Sequence, residues 1–121
     1  ALAEIRSGHK RSHWMWYIFP QIAGLGMSYT AQLYAIKDIE EARQYIAHPV
    51  LGARLIEISQ ALLTLDCSDA AAVMGYPDDL KLRSCMTLFA QVSDDPVFDA
   101  VLAKFYGGMA DARTLELLSL T

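Results

Sequence analysis

Residues 49–65, PVLGARLIEISQALLTL, carry the clearest structural pattern in the chain. Their apolar side chains recur every three or four residues, which places them on one face of an α-helix; they are Val50, Leu51, Leu55, Ile58, Leu62 and Leu65. Pro49 suits the first turn of such a helix. Gly52 costs a helix roughly 1 kcal/mol relative to alanine, so it indicates close contact with another helix.

Similar helical patterns with short connections continue on both sides of this stretch. We predict helix caps at Ser28, Asp38, Ser68 and Asp111, and a loop over residues 23–28 because of its glycines. Residues 13–19 suit either a strand, from their aromatic and β-branched content, or a short helix capped by Ser12; the helical surroundings favour the helix. The sequence predicts a compact all-α domain, residues 1–121, with six to eight helices around one core. The long connection after residue 19 argues against a regular four-helix bundle.

Composition narrows the classes of function. The chain has 121 residues, a net charge of −4, two cysteines and 54% hydrophobic residues. This charge gives no indication of nucleic-acid binding, and no apolar run approaches the length of a membrane span. Two cysteines outside any C-x-x-C pair fit a reduced cytoplasmic protein. The high apolar content has two interpretations that stay open, a dense helical core or an interface for a homo-oligomer.

The first candidate site is SGHKRSHWMWYIFPQ, residues 7–21. A helix start near Ser12 would favour an anion, arginine supplies a bidentate anion contact, and indoles supply stacking surfaces. The candidate ligand-binding residues are His9, Lys10, Arg11, Ser12, His13, Trp14 and Trp16. Alternatively, the aromatic side chains fill the core and the charged ones form a solvated loop.

The second candidate site is YPDDLKLRSCMTLF, residues 76–89. Lys81, Arg83 and Ser84 add to the candidate ligand-binding set, and Asp78 and Asp79 are candidate catalytic acid–base groups. The structural alternative is helix capping with an ion pair between Asp79 and Arg83. We expect Arg11 and Arg83 to converge over one cavity walled by an indole. No metal site or cofactor is predicted, because the spacings of a ligand set or a phosphate-binding loop are missing.

Three stretches, residues 8–26, 48–55 and 77–89, resemble the bacterial family called domain of unknown function 1810, whose members are often labelled "calpastatin". The resemblance implies an all-α intracellular domain, one more helix before Ala1, and no established activity. Cys85 stands where members tend to have serine, and Leu82 where they often have an aromatic residue, so the resemblance gives no catalytic role to either. Residues 97–121 are also faintly similar to the C-terminal helices of the NADAR family, whose members handle ligands related to ADP-ribose.

Two functions follow as hypotheses. The first is a cytoplasmic interaction or oligomerisation module whose partner includes a second copy of the chain. The alternative is binding, with or without hydrolysis, of a small anion such as a nucleotide or an ADP-ribose-like compound. Whether the protein is an enzyme stays open.

Overall fold

Residues 49–65 do form a helix, over Leu51–Leu63, which the computed structural model describes with eight others in residues 1–25 and 28–119. In chain order, these helices are α1 (Leu2–Arg6), α2 (Met15–Ile18), α3 (Tyr29–Tyr34), α4 (Ile39–Ala47), α5 (Leu51–Leu63), α6 (Ala70–Met74), α7 (Asp78–Ala90), α8 (Val97–Tyr106) and α9 (Ala112–Ser119). Within this part of the chain, strand pairing is limited to an isolated bridge between Ile22 and Ile36. The prediction of an all-α fold is confirmed, and the described residues form nine helices, one more than the upper end of the expected six to eight.

Helix α7 lies at the centre of the packing and contacts α4, α6, α8 and α9, while α5 contacts α1, α4 and α8. The inward face of α7 is completely buried and includes Leu82, Cys85, Met86, Leu88 and Phe89. Burial of a large apolar side chain of this kind stabilises the fold by roughly 1.5–3 kcal/mol. The Phe89 ring lies 5.5 Å from that of Tyr45 in α4 and 5.8 Å from that of Phe98 in α8, measured between centroids. These contacts make α7 a rigid support for the residues at its first turn.

Helix α5 begins two residues later than predicted. The His48 Nδ1 atom accepts hydrogen bonds from the backbone N–H groups of Val50 and Leu51, both at 3.1 Å. Two backbone donors at the start of the helix are therefore paired with His48. Val50 and Leu51, which belong to the predicted apolar face, are exposed. Gly52 has the close neighbour that its position indicated, since a Cβ atom there would lie 2.0 Å from the carbonyl oxygen of Ile46.

The predicted caps agree with the structure at three of four positions. Ser28, Asp38 and Asp111 each accept a backbone N–H from the first turn of the following helix. Helix α6 is instead capped by Asp69, whose carboxylate accepts two N–H groups, so the assignment of this cap to Ser68 was wrong by one residue. In the predicted loop 23–28, Gly24 has a positive φ of 102°, while Gly26 and Met27 lie outside the described residues.

Candidate functional site

The loop between α1 and α2 is held by one carboxylate, that of Glu4. Its Oε1 accepts hydrogen bonds from the backbone N–H groups of Arg11 (2.6 Å) and Ser12 (2.9 Å) and from Trp14 Nε1 (3.1 Å). Its Oε2 accepts the Ser12 hydroxyl at 2.7 Å. Donation by the Ser12 hydroxyl, followed by that of the Arg11 N–H, lowers the pKa of Glu4 to about 2. The carboxylate is thus ionised at neutral pH and fixes the loop conformation.

Ser12 consequently has a different role from the one predicted. Helix α2 starts at Met15, and its N-cap residue, Trp14, makes no side-chain capping bond. Ser12 lies three residues before that helix and gives its hydroxyl to Glu4, so its assignment as a helix cap was wrong. The expectation that a helix terminus at Ser12 would attract an anion therefore loses its basis.

The same loop is hydrogen-bonded to α6, and this attachment places it close to the start of α7. The Lys10 N–H donates to the carbonyl oxygen of Val73 at 2.7 Å, and His9 Nδ1 lies 3.2 Å from that of Ala72. Lys10 Nζ then reaches the start of α7, where it lies 2.7 Å from Asp78 Oδ2. Two segments that are far apart in the sequence thus meet at this point.

A compact charge cluster results, with two ammonium groups on one carboxylate. Lys81 Nζ lies 3.2 Å from Asp78 Oδ1, one turn along α7. The Lys10 side chain is only 6% exposed, whereas those of Asp78 and Lys81 are 19% and 27% exposed. Burial tends to raise the pKa of Asp78, but the hydrogen bonds to Lys10 and Lys81 outweigh it, and the pKa is lowered. Asp78 is therefore ionised at neutral pH and unsuited to act as a general acid.

Each ammonium group in this cluster also lies over an indole. Lys10 Nζ is 5.0 Å from the ring centroid of Trp14, and Lys81 Nζ is 4.9 Å from that of Trp16. Contacts of this kind are attractive because the face of an indole is electron-rich. Trp14 is 8% exposed and belongs to the core, as the structural alternative held, while Trp16 is only partly buried.

Two neighbouring cavities open beside the cluster. The first, which we call the lysine cavity, has a volume of about 290 Å³; its lining includes Lys10, His13, Trp16, Thr30, Asp78 and Lys81. The second, which we call the glutamine cavity, has a volume of about 280 Å³; its lining includes Trp16, Gln21, Leu80, Lys81, Arg83 and Asp111. Trp16 and Lys81 line both cavities, which are therefore adjacent.

Arg83 and Ser84 lie at the glutamine cavity, but their polar groups are engaged within the fold. Arg83 Nε donates to the carbonyl oxygen of Met109 at 2.8 Å, and its guanidinium also donates to that of Ala110 at 2.9 Å. The Ser84 hydroxyl lies 3.1 Å from the Leu80 carbonyl oxygen and 3.3 Å from Asp111 Oδ2. Arg83 thus holds the segment between α8 and α9, and Asp79 is not its ion-pair partner among the described salt bridges.

The structure gathers only part of the predicted residue set around one site. Lys10, His13, Trp16, Asp78 and Lys81 share the lysine cavity. The remaining candidates in the first stretch line neither cavity; they are His9, Arg11, Ser12 and Trp14. Lysines, rather than the predicted arginines, meet beside the indole. Asp79 has a buried Oδ1 atom without a partner in the described structure.

Sequence reasoning missed Gln21 and assigned Asp111 only to a helix start. Gln21 is 2% exposed, and its Nε2 atom has no hydrogen-bond partner among the described residues. The available sequence signal was one polar amide side chain between two apolar residues, Pro20 and Ile22, both of which are buried. Asp111 caps α9 as expected, and its Oδ2 atom also receives the hydroxyl groups of Thr114 and Ser84 beside the glutamine cavity.

A third cavity lies on the other side of Tyr17. It has a volume of about 310 Å³, and mostly apolar side chains line it, among them Tyr17, Ile18, Leu51 and Ile58. Tyr17 also packs edge-on against the ring of Tyr34, with centroids 4.6 Å apart. Tyr17, Tyr34 and Leu51 are all exposed, so this cavity borders an apolar part of the surface.

These features define a small all-α domain with a charged cavity beside an indole. The chain belongs to the family described as protein of unknown function, DUF1810, whose sequence model matches residues 1–118. It is similar to the conserved hypothetical protein Rv1873 from Mycobacterium tuberculosis, known from a crystal structure, with 47% sequence identity and a TM-score of 0.96. The match covers 99% of this chain and 86% of that protein.

The predicted family membership is confirmed by this match. No curated protein matches the chain, and the fainter similarity to the NADAR family is not shown. In the described part of the chain, every helix is too short or too polar to traverse a lipid bilayer. The same residues contain no group of three or more His, Cys, Asp and Glu side chains that is placed to hold a metal ion.

Proposed function

We propose that the protein binds a small anionic ligand in the lysine cavity. The observation that carries this proposal is the convergence of Lys10 and Lys81 on Asp78, at 2.7 and 3.2 Å. Two ammonium groups facing one carboxylate leave a local excess of positive charge, although the whole chain has a net charge of −4. An anion in the cavity would supply the second negative partner that the cluster lacks.

The accessibility of the cluster supports the same function. Lys81 is exposed enough to meet a ligand, while the more deeply buried Lys10 is positioned by its bonds to Asp78 and to the carbonyl oxygen of Ser12. Such preorganisation reduces the entropy that binding costs. We assign no catalytic role to Asp78, because both of its carboxylate oxygens are paired with lysines. We also propose, from the sequence, that the protein is cytoplasmic and of bacterial origin.

The test is a thermal-shift and calorimetry series with inorganic phosphate, pyrophosphate, nucleoside monophosphates and ADP-ribose. Ligand binding to the folded state raises the melting temperature in proportion to the logarithm of ligand concentration. We expect at least one of these anions to bind, and Lys81→Met to weaken that binding by roughly tenfold or more.

The matched control is Lys37→Met. Lys37 is an exposed lysine that lines none of the three cavities described above. Its replacement removes the same charge from the whole molecule and should leave binding almost unchanged. If no anion binds at millimolar concentration, or if both lysine variants weaken binding equally, the proposal is wrong.

A second candidate function is self-association, supported by the exposed Tyr17, Tyr34 and Leu51 around the apolar third cavity. Contiguous exposed apolar surface commonly marks an interaction site. Light scattering over a dilution series should then show a dimer that dissociates at low concentration. Leu51→Gln should shift that equilibrium towards monomer, whereas a monomer at every concentration would rule this candidate out.

A further inference from the structure

We infer that the glutamine cavity takes the planar ring of a ligand whose anionic group occupies the lysine cavity, so that the ligand is of the nucleotide class. This inference rests on the proposed function and adds a second subsite to it. Trp16 and Lys81 line both cavities, so the two lie side by side. A ligand that occupies both cavities would extend across Trp16.

The walls of the glutamine cavity suit a flat, largely apolar group. Leu25, Pro77 and Leu80 line it together with the Trp16 indole. Aromatic and aliphatic walls with a few fixed polar groups are typical of sites for ring-shaped ligands. The charged wall of the neighbouring cavity has the complementary character that a phosphate requires.

The available hydrogen-bonding groups select a ring over a sugar. The Gln21 amide nitrogen is buried and has no acceptor among the described residues. Buried donors are nearly always satisfied in folded proteins, so an exception beside a cavity indicates an absent partner. A carbonyl oxygen or ring nitrogen of a heterocycle provides the acceptor that this amide needs.

Several of the other polar groups of the cavity already have partners within the fold. Arg83 donates to the carbonyl oxygens of Met109 and Ala110, and Asp111 Oδ2 accepts from Thr114 and Ser84. A polyhydroxylated group would find few free partners there and would lose its bonds to water. The unpartnered Gln21 donor, in a cavity that Leu25 and Leu80 also line, suits a heterocycle that presents one acceptor.

Calorimetry with three probes tests the inference: inorganic phosphate, uridine, and uridine monophosphate. If both subsites act together, uridine monophosphate binds at least roughly tenfold more tightly than phosphate, because it fills both cavities. Gln21→Met should weaken uridine monophosphate by roughly three- to tenfold and leave phosphate unchanged, since it removes one neutral hydrogen bond. Gln21→Met should not lower the melting temperature of the free protein, because it removes an unsatisfied buried donor.

A second pair of variants tests the apolar wall without disturbing the core. Leu80 is exposed and lines the glutamine cavity, and Leu33 is exposed and lines none of the three cavities. Leu80→Ala should weaken uridine monophosphate more than phosphate, and Leu33→Ala should affect neither. Equal affinities for phosphate and uridine monophosphate, insensitive to Gln21→Met and Leu80→Ala, would refute the ring subsite while the anion site stands. Failure of all three probes would refute the ring subsite, and the anion site would fall with it only if pyrophosphate and ADP-ribose also fail to bind.

Discussion

Lys81 and Arg83 lie two residues apart on α7, but their cationic groups end in different kinds of contact. Lys81 lies over the Trp16 indole, shares Asp78 with Lys10 and faces a cavity. Arg83 donates to two backbone carbonyl oxygens between α8 and α9. In the first region, two lysines share one aspartate, so their charges are only partly neutralised. In the second region, the arginine provides hydrogen bonds to main-chain carbonyl groups.

The difference teaches that the residue type alone does not separate binding from support. Both regions combine a cation, an aspartate and a serine near one helix. A cation that is bonded to backbone carbonyls has a structural task, because those carbonyls need donors wherever they are buried. A cation whose partner is shared with another cation retains capacity for a ligand.

The largest expected effect comes from the supporting region. Arg83→Met should lower the free energy of unfolding by about 2 kcal/mol, since it removes two hydrogen bonds from a charged donor to the main chain between α8 and α9. Urea unfolding measures this change. Arg43→Met is the control, because Arg43 is exposed and pairs with Glu40 at 3.7 Å, and it should cost less than about 0.5 kcal/mol. Equal effects of the two variants would contradict the structural role of Arg83.

An intermediate effect is expected at Lys10, which combines both tasks. Lys10→Met should lower the free energy of unfolding by about 1–2 kcal/mol, because the loss of this nearly buried ammonium group leaves Asp78 with one partner instead of two. The same variant should abolish measurable phosphate binding.

Lys81→Met provides the contrast to Lys10→Met. Lys81 is more exposed, so its loss should cost no more than about 1 kcal/mol of stability while still impairing phosphate binding. Urea unfolding and calorimetry on the two variants separate anchoring from ligand contact. A larger stability loss in Lys81→Met than in Lys10→Met would reverse the roles assigned to the two lysines.

The smallest effect at neutral pH concerns the carboxylates of Glu4 and Asp78. The pKa of Glu4 is lowered from 4.5 to about 2, and that of Asp78 is also lowered. A carboxylate with a lowered folded-state pKa stabilises the protein above its unfolded pKa and loses this contribution as the pH falls. Stability should therefore be flat near neutral pH and fall between about pH 5 and pH 2.

The variant Glu4→Gln tests which group causes that fall. It cannot titrate, so the loss of stability from pH 5 to pH 2 should be smaller than in the natural sequence, with Asp78 accounting for the remainder. Thermal unfolding across this pH range gives the comparison. An unchanged slope in Glu4→Gln would mean that the carboxylate does not hold the loop through its charge.

Local patterns predicted most of the fold, because helix stripes and caps depend on neighbouring residues. Leu55, Ile58 and Leu62 are buried at the predicted spacing, and Ser28, Asp38 and Asp111 cap helices. The later start of α5 and the wrong assignment of Ser12 as a helix cap share a cause. In each case, a side chain at another position accepts the hydrogen bonds. His48 accepts backbone N–H groups at the start of α5, and Glu4 accepts the Ser12 hydroxyl that the local pattern had assigned to a helix start.

The candidate site was less predictable, because its defining contacts join distant segments. Lys10 and Lys81 were both in the predicted set, but only the attachment of residues 9–10 to α6 brings them together. Nothing local distinguishes Arg83, which supports the chain, from Lys81, which faces a cavity. Gln21 was missed because its significance depends on an unmet hydrogen bond, which is a property of the folded molecule.

The pairing of each ammonium group with its own indole has an optical consequence. The chain contains only two tryptophans. Trp14 is buried and bonded to Glu4, and Trp16 lines both cavities. Intrinsic fluorescence therefore carries two separable signals, one from the integrity of the loop and one from the occupancy of the cavities, and single Trp→Phe variants would assign each signal without an added dye.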